Sequence, residues 1–439
     1  MNKRLVTYLH GVIAGYFIDQ GDGKIGFAYS ADWVTRWRAG AAHQISVSLP
    51  VVDPEITQDA TAYVAGLLPD SVRHRDLIAQ EMGIGDDPSD FAFLTKMGRD
   101  SAGALMIIPE DHPVQHPGER RVEWLSEADL AEHLRSLPRR PLLIDPEHGV
   151  VLSLAGVNDK AAVVLRDGKI GLPMNGYPST HIIKVDIPGL EDSIKTEYFC
   201  LQLAKAVGLK VPGCRLQTAQ DQSFMLMQRY DRVLSKGRLE RIHQEDFCQA
   251  LDVKPGKKYQ RYGGPGWAEC FDLLRVTANP TESRSKLLKE AVFQFLTGNP
   301  DAHAKNYSLT YRRGSGAIDL SPLYDLNNAA AFKGKFKSAK PLMAMFIGDK
   351  SDRDQVAPAD WATFARDCSI RYQVVVDTLT SMSQNLIEVL ADVQQACPDC
   401  PAIALAVEDI RARCEIWRDM DYRPRTSAPR EDEQDDPRP

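Results

Sequence analysis

Short alternating runs of apolar and polar residues open the chain and then give way to helical spacing. Residues 3–29 alternate in this way, with glycines between the runs, which predicts a small antiparallel sheet. Residues 57–68 and 71–82 carry apolar side chains at the spacing of helices, and residues 104–109 form an apolar run typical of a strand. We therefore expect residues 1–110 to form an α/β subdomain.

A connecting segment, residues 111–145, is polar and contains prolines near its start. A short helix is predicted within it at 126–137, because Ser126 is suited to cap a helix whose first turn is acidic. The next unit, residues 146–228, contains strand-like runs at 150–154, 161–165, 181–185 and 223–228. This unit is expected to be a small lobe built largely from β-strands.

The rest of the chain is mainly helical in pattern. Two short strand-like runs, at 307–311 and 317–320, interrupt stretches of helical spacing at 245–250, 267–276, 284–296, 360–367, 373–395 and 403–420. We expect a helical lobe over residues 229–422 and a disordered tail over the charged, proline-rich residues 423–439. The whole pattern predicts an α+β fold, with an N-terminal α/β subdomain and a mostly α-helical C-terminal lobe.

Length and composition restrict the class of protein. A chain of 439 residues with 43% hydrophobic residues is long enough for two or three domains with sizeable cores. Its net charge of -7 provides no basic footprint for strong direct binding to nucleic acid. The start lacks the pattern of a signal peptide, and no apolar run approaches the roughly 18 residues of a membrane helix. We therefore expect a cytoplasmic protein without membrane contact.

Three polar residues of the helical region stand in an order typical of phosphoryl transfer. Asn306 follows Asp301 at the spacing with which a kinase catalytic loop sets a base beside a magnesium ligand. Aspartate and asparagine are also common in turns, so this spacing gains weight from the predicted strand pair and the Asp325 that follow. Asp301 would accept the proton of a substrate hydroxyl, and Asn306 and Asp325 would offer oxygen ligands to Mg²⁺.

Several further motifs accompany these residues in a fixed order. They are Ile45-Ser-Val-Ser-Leu-Pro50, Gly66-Leu-Leu-Pro-Asp-Ser71, Gly98-Arg-Asp-Ser-Ala-Gly103, Ser153-Leu-Ala-Gly-Val-Asn-Asp-Lys160, Thr180-His-Ile-Ile-Lys184, Arg229-Tyr-Asp-Arg232, His243-Gln-Glu-Asp-Phe-Cys248, Asp301-Ala-His-Ala-Lys-Asn306 and Leu323-Tyr-Asp-Leu326. With these motifs the chain resembles the HipA family of bacterial serine/threonine kinases, the toxin half of HipBA toxin-antitoxin pairs. The resemblance extends from near residue 3 to about residue 420 and implies a bilobal, protein-kinase-like fold that uses ATP and Mg²⁺.

The resemblance also implies roles for residues of the small lobe, residues 146–228, as the ATP-binding region. Lys184 would hold the phosphates of ATP, as the comparable strand lysine does in kinases. An unpaired ammonium is costly to bury, so Lys184 must reach solvent or meet a negative charge. Glu197 is a candidate partner in the first turn of the helix predicted at 196–207, although it would equally suit the helix dipole.

A phosphate loop and a hinge are expected to complete the nucleotide site. Ser153 matches the family position whose autophosphorylation shuts the enzyme down, and the loop after it would cover the phosphates with Ala155, Gly156, Val157, Asn158, Asp159 and Lys160. Gln228 and Tyr230 would present backbone groups to adenine, and Asp231 would lie near the ribose. His303 is expected in the same site.

The family resemblance implies partners as well. A small helix-turn-helix antitoxin of the HipB type would hold the kinase and carry it to operator DNA, which suits a chain too acidic to bind DNA strongly itself. The protein substrate would be an aminoacyl-tRNA synthetase, whose phosphorylation would stall translation and cause growth arrest or persistence. Two alternatives stay open: a catalytically inactive nucleotide-binding corepressor or scaffold, and a small-molecule kinase. The basic, glycine-rich loop at residues 254–266 is expected to face a substrate or a partner.

Overall fold

The computed structural model describes residues 3–85, 88–111, 121–145, 159–235, 237–335 and 341–422. The predicted strand at 150–154, the phosphate-loop residues from Ser153 to Asn158 and the predicted tail at 423–439 lie outside these ranges. Within the described residues, no helix combines the length and the apolar character that crossing a membrane requires.

An antiparallel five-stranded sheet forms the centre of the N-terminal subdomain, as the alternating pattern predicts. Its strand order is β4-β3-β2-β1-β5, with β1 at Arg4–Leu9, β2 at Val12–Gly21, β3 at Lys24–Tyr29, β4 at Gln58–Asp59 and β5 at Leu105–Pro109. The helix predicted at 57–68 begins later than expected, because Gln58 and Asp59 pair with β3 instead.

The subdomain also contains four short helices, α1 at Ala31–Arg38, α2 at Thr61–Leu67, α3 at Val72–Glu81 and α4 at Asp90–Met97. Serine side chains at the N-caps fix three of their starts. Ser30, Ser71 and Ser89 accept hydrogen bonds from the backbone N–H groups three residues later, which satisfies donors that have no partner inside the helix.

A six-stranded sheet forms the small lobe. Its order is β10-β11-β9-β7-β8-β6, with β6 at Arg121–Trp124, β7 at Lys160–Arg166, β8 at Lys169–Met174, β9 at His181–Lys184, β10 at Cys214–Ala219 and β11 at Gln222–Gln228. Two helices belong to this lobe, α5 at Glu127–Ser136 and α6 at Ser193–Ala206. Ser126 caps α5 in a capping box with Asp129, as its sequence predicts.

The C-terminal lobe is mainly helical, with α7 at Phe247–Ala250, α8 at Trp267–Leu273, α9 at Pro280–Thr297, α10 at Pro358–Asp367, α11 at Tyr372–Ala396 and α12 at Pro401–Arg418. A hairpin of β12 (Arg232–Ser235) and β13 (Arg238–Arg241) precedes it. A three-stranded sheet consists of β14 (His243–Asp246), β15 (Ser308–Tyr311) and β16 (Ile318–Leu320). The helix predicted from residue 245 is wrong at its start, because Glu245 and Asp246 pair with β15 as a strand.

Strand β11 separates two hydrophobic cores. Phe224 and Leu226 pack into a core shared by the N-terminal subdomain and the six-stranded sheet, whereas Met225 and Met227 pack into the core of the helical lobe. This division follows from the two-residue period of a strand. The N-terminal subdomain is therefore built into the small lobe through a common core.

Buried ion pairs join the end of β11 to the N-terminal subdomain. Asp100 lies 3.0 Å from Arg232 and 2.8 Å from Arg241, and it is fully buried. Asp231 lies 2.7 Å from Arg229 and 2.9 Å from Arg232, and it accepts the backbone N–H of Gly103 at 2.8 Å. Burial alone would raise the pKa of Asp100, but the surrounding guanidinium groups outweigh burial and lower it. The carboxylates are therefore charged and balance the buried arginines.

Substituting Asp100→Asn should destabilise the protein by about 3–5 kcal/mol, because it removes one partner of a buried charge network and leaves guanidinium groups uncompensated. Urea unfolding followed by circular dichroism measures this difference. Asp32→Asn is the matched control, since Asp32 pairs with Arg36 on the exposed face of α1 and its loss should cost less than about 1 kcal/mol. Equal small effects in both variants would contradict a structural role for the network.

Candidate active site

The loop after α9 presents Asp301 to a cleft between the lobes. Helix α9 ends at Gly298, whose φ of 70° is the left-handed conformation that favours glycine. The side chain of Asn299 accepts the backbone N–H of Asp301 at 3.0 Å, and the amide of Asn306 donates to the carbonyl of Asp301 at 2.8 Å. The Asp301 side chain is 44% exposed. A rigid loop therefore holds an accessible carboxylate.

Asp325 lies opposite this loop in a strained backbone conformation. Its φ is 60°, which is uncommon for a residue with a side chain. The Asn299 amide donates to its carbonyl at 3.3 Å, which ties Asp325 to the start of the predicted catalytic loop, residues 299–306. Such strain is retained where surrounding contacts determine it and is frequent at functional sites.

Lys184 joins the two lobes by pairing with carboxylates from both. Its ammonium lies 2.6 Å from Glu197 on α6 and 2.9 Å from Asp325. The predicted pair of Lys184 with Glu197 is thus confirmed. Burial favours the neutral lysine, but the two carboxylates outweigh burial and raise the pKa of Lys184 above its ordinary value. Burial likewise opposes ionisation of Asp325, yet Lys184 and Lys160 hold its pKa well below the usual range.

Lys160 is a second cation in the cleft, with a different protonation behaviour. Burial and repulsion by Lys184 lower the pKa of Lys160 to about 8, although Asp325 and Asp70 act in the opposite direction. Its charge therefore changes close to neutral pH, and phosphate groups placed beside it would stabilise the ammonium form.

Many of the residues predicted for the nucleotide site line this one cleft: Lys160, Lys184, Gln228, Tyr230, Asp231, Asp301, His303, Asn306 and Asp325. The cleft is open at its mouth, and residues of the N-terminal subdomain, such as Gly66 and Asp70, line it together with those of both lobes. Both ring nitrogens of His303 are buried there without a hydrogen-bond partner among the described residues. Burial lowers the pKa of His303, although the nearby Asp301 acts in the opposite direction.

Two residues predicted to contact the nucleotide already have protein partners. Asp159 is buried and pairs with His74 of α3 at 3.0 Å, so its carboxylate is engaged at the start of β7. Asp231 reaches the wall of the cleft, and its carboxylate is bound by Arg229 and Arg232. The contacts of both residues with nucleotide stay predictions.

Some polar groups of the predicted hinge at the end of β11 already form hydrogen bonds within the protein. The N–H of Gln228 donates to the carbonyl of Gly213 at 2.7 Å, which removes that donor from contact with a base. The hydroxyl of Tyr230 donates to the side chain of Gln244. The backbone of Tyr230 is thus the better candidate for reading an adenine edge.

A second group of buried charges lies beneath the catalytic loop and was not assigned from sequence. Lys305 lies 3.2 Å from Asp246 and 3.6 Å from Asp70, and it donates to the carbonyl of Gly66 at 2.9 Å. Lys258 pairs with Asp70 at 3.1 Å. Asp70 and Lys305 both lie in motifs on which the family resemblance rests. Those motifs could have singled out the two residues, but they could not show that the two side chains meet.

Tyr259 is another residue that sequence reasoning missed. Its hydroxyl donates to the carboxylate of Asp301 at 2.6 Å, and its ring packs edge-on against His303 at 5.1 Å between centroids. The basic loop at 254–266 was expected to face a substrate or partner, but nothing in its composition indicated which residue would touch the base.

The oxygen atoms in the cleft fit a magnesium ion. Asp325 supplies a carboxylate, and Asn306 has its amide nitrogen engaged with the loop, which leaves its oxygen as the possible ligand. The described residues include no cluster of three or more acidic, histidine or cysteine side chains that would hold a metal. Such a cluster is not needed for Mg²⁺ that arrives with a nucleotide, because one or two protein oxygens hold it together with phosphates and water.

Two models of known protein families match most of the chain. Residues 5–108 match the model of the HipA N-terminal domain, and residues 152–398 match that of the HipA-like C-terminal domain. The chain is 37% identical over 401 residues to Y4mE of Sinorhizobium fredii, a protein named as a kinase candidate, covering 90% of this chain and 93% of the relative. It is 24% identical over 410 residues to the serine/threonine-protein kinase toxin HipA of Shewanella oneidensis, covering 89% and 90% of the two chains.

A solved structure shows the same fold. The HipA chain in the Shewanella oneidensis complex of HipA, HipB and operator DNA superposes with a TM-score of 0.80 at 22% identity, covering 95% of this chain and 100% of that chain. The predicted α+β, kinase-like fold is confirmed by this match. With both family models matched in sequence order and a relative similar over nearly its whole length, the chain belongs to the HipA family.

Proposed function

We propose that the protein is an ATP- and magnesium-dependent protein serine/threonine kinase of the HipA toxin type. The observation that carries the proposal is the convergence in one cleft of Asp301, Asn306, Asp325 and the Lys184–Glu197 pair. Curated relatives of the chain are named as kinases. An inactive scaffold would have no need to keep this set of groups together.

The chemistry follows from the positions of these groups. A substrate hydroxyl oxygen attacks the γ-phosphorus of ATP, the bond to the ADP oxygen breaks, and Asp301 receives the hydroxyl proton. Lys184 and Lys160 bind the phosphates, and Glu197 keeps Lys184 in place. Mg²⁺ held by Asn306 and Asp325 would neutralise charge on the phosphates. Most of the acceleration then comes from positioning and charge stabilisation.

The finer assignments rest on the family. We propose an aminoacyl-tRNA synthetase as the substrate, with growth arrest or persistence as the outcome, and autophosphorylation of Ser153 as an off-switch. A HipB-like antitoxin would bind the kinase and bring it to operator DNA. The Shewanella oneidensis HipA structure contains HipB and operator DNA, and the net charge of -7 of this chain suits DNA contacts made by a partner.

Replacing Asp301 by Asn should lower phosphoryl transfer by about 10²–10⁴-fold, the usual contribution of a general base, with ATP binding retained. The measurement incubates the purified chain with labelled ATP, Mg²⁺ and a cytosolic extract and follows label on protein. Asp272→Asn is the control, because Asp272 is an exposed acid on α8 and its loss should leave the rate unchanged.

An undiminished rate in Asp301→Asn would remove the assignment of the base. A wild-type chain that binds ATP but labels no protein, with Ser153 unmodified at the start, would favour the scaffold alternative.

The affinity for ATP should weaken as pH rises from 7 to 9, because Lys160 loses its proton near its pKa of about 8. Bound phosphates favour the ammonium form of Lys160, so the affinity for ATP should fall by about tenfold over this pH range. Lys184 keeps its charge throughout, since its pKa is raised. Calorimetric titration of ATP at several pH values measures the effect.

Lys160→Arg should flatten this pH profile, because a guanidinium stays charged over the same range. A profile with the same slope in both proteins would show that another group titrates.

A further inference from the structure

The loop between α7 and α8 places a hydroxyl of the protein itself on the catalytic base. Tyr259 donates its hydroxyl hydrogen to Asp301 at 2.6 Å. This is the contact that a substrate hydroxyl makes with the base of a kinase before transfer. The acceptor position next to Asp301 is thus filled by the chain itself.

The contacts on either side of Tyr259 hold it in this position. The preceding Lys258 pairs with the buried Asp70 at 3.1 Å. The following Gln260 donates its backbone N–H to Ala344 at 3.0 Å and accepts the N–H of Phe346 on its side chain at 2.7 Å. The tyrosine is therefore presented to the base by a loop fixed at both flanks.

We propose that Tyr259 is an intramolecular phosphoryl acceptor, a site of autophosphorylation in cis. The inference rests on the proposed kinase function. In the step, the phenolic oxygen of Tyr259 attacks the γ-phosphorus of ATP and forms a phosphate ester. The bond between the γ-phosphorus and the ADP oxygen breaks, ADP leaves with its electron pair, and the phenolic proton passes to Asp301.

Two physical effects favour this acceptor although it is a phenol. Holding the hydroxyl on the base makes the reaction unimolecular, which raises the effective concentration of acceptor far above that of a free protein substrate. Burial and the neighbouring Asp301 raise the pKa of Tyr259, so the phenol keeps its proton. Attack by its oxygen therefore requires a base to take this proton, and Asp301 already accepts a hydrogen bond from the same hydroxyl.

The product phosphate has a cation close to it. The guanidinium carbon of Arg261 lies 4.8 Å from the centre of the Tyr259 ring, and Arg261 is exposed. A phosphotyrosine carries nearly two negative charges, which Asp301 repels and a guanidinium binds through paired hydrogen bonds. The same loop therefore supplies an acceptor and a group that can retain the modified side chain.

The test uses the full chain freed of phosphate, incubated with Mg²⁺ and ATP and followed by mass spectrometry of the Tyr259 peptide. We expect phosphate on Tyr259 with a first-order rate constant that does not change with enzyme concentration. Tyr259→Phe should lose this phosphate. Tyr262→Phe is the matched control, since Tyr262 lies in the same loop, is 61% exposed and should leave the modification unchanged. Equal thermal midpoints show that both variants fold.

An Asp301→Asn chain of distinguishable mass, mixed with wild type, separates cis from trans transfer. It should stay unmodified at Tyr259; phosphate on it, or a rate that rises with enzyme concentration, would overturn the intramolecular reaction. Phosphate on Ser153 or on an extract protein with none on Tyr259 would overturn the proposal and leave the kinase function standing. Absence of transfer to any hydroxyl would overturn both.

Discussion

The buried ammonium of Lys184 is the charge around which the two lobes are arranged. A lysine in this position is stable only if negative groups meet it, and the chain supplies one from each lobe, Glu197 from α6 and Asp325 from the segment after β16. Because the carbonyl of the same Asp325 accepts a hydrogen bond from Asn299, the balance of one charge also links strand β9 of the small lobe to the loop that contains Asp301.

The N-terminal subdomain contributes to this arrangement directly. Its Asp70 neutralises Lys305 and Lys258 beneath and beside the catalytic loop, and its Asp100 balances arginines at the end of β11. It also shares a hydrophobic core with the six-stranded sheet. The subdomain is therefore part of the framework of this cleft.

Local pattern was sufficient to predict most elements of the fold. The alternation at the start, the Ser126 cap and the helical spacing of apolar residues reflect interactions between near neighbours in the chain, so β1 to β3, α5 and α9 to α12 appear close to their predicted positions. The error at Glu245 and Asp246 arose because strand pairing with β15, more than 60 residues away in the chain, overrides helical spacing.

Some features of the candidate site were likewise predictable from the sequence and others were not. Asp301, Asn306, Asp325 and Lys184 were identifiable because their order and spacing are typical of phosphoryl-transfer sites, and all four line one cleft. The contacts of Tyr259 with Asp301 and of Asp159 with His74 depend on residues brought together only by folding. The charge of each side chain could be read from the sequence, but its partner could not.

The most direct measurement is a crystal structure of the chain with Mg²⁺ and a non-hydrolysable ATP analogue. We expect the analogue in the cleft, with its phosphates against Lys184 and Lys160 and with Mg²⁺ bound by Asn306 and Asp325. A nucleotide bound elsewhere, or in the cleft with its phosphates away from these lysines, would contradict the proposed roles of these residues.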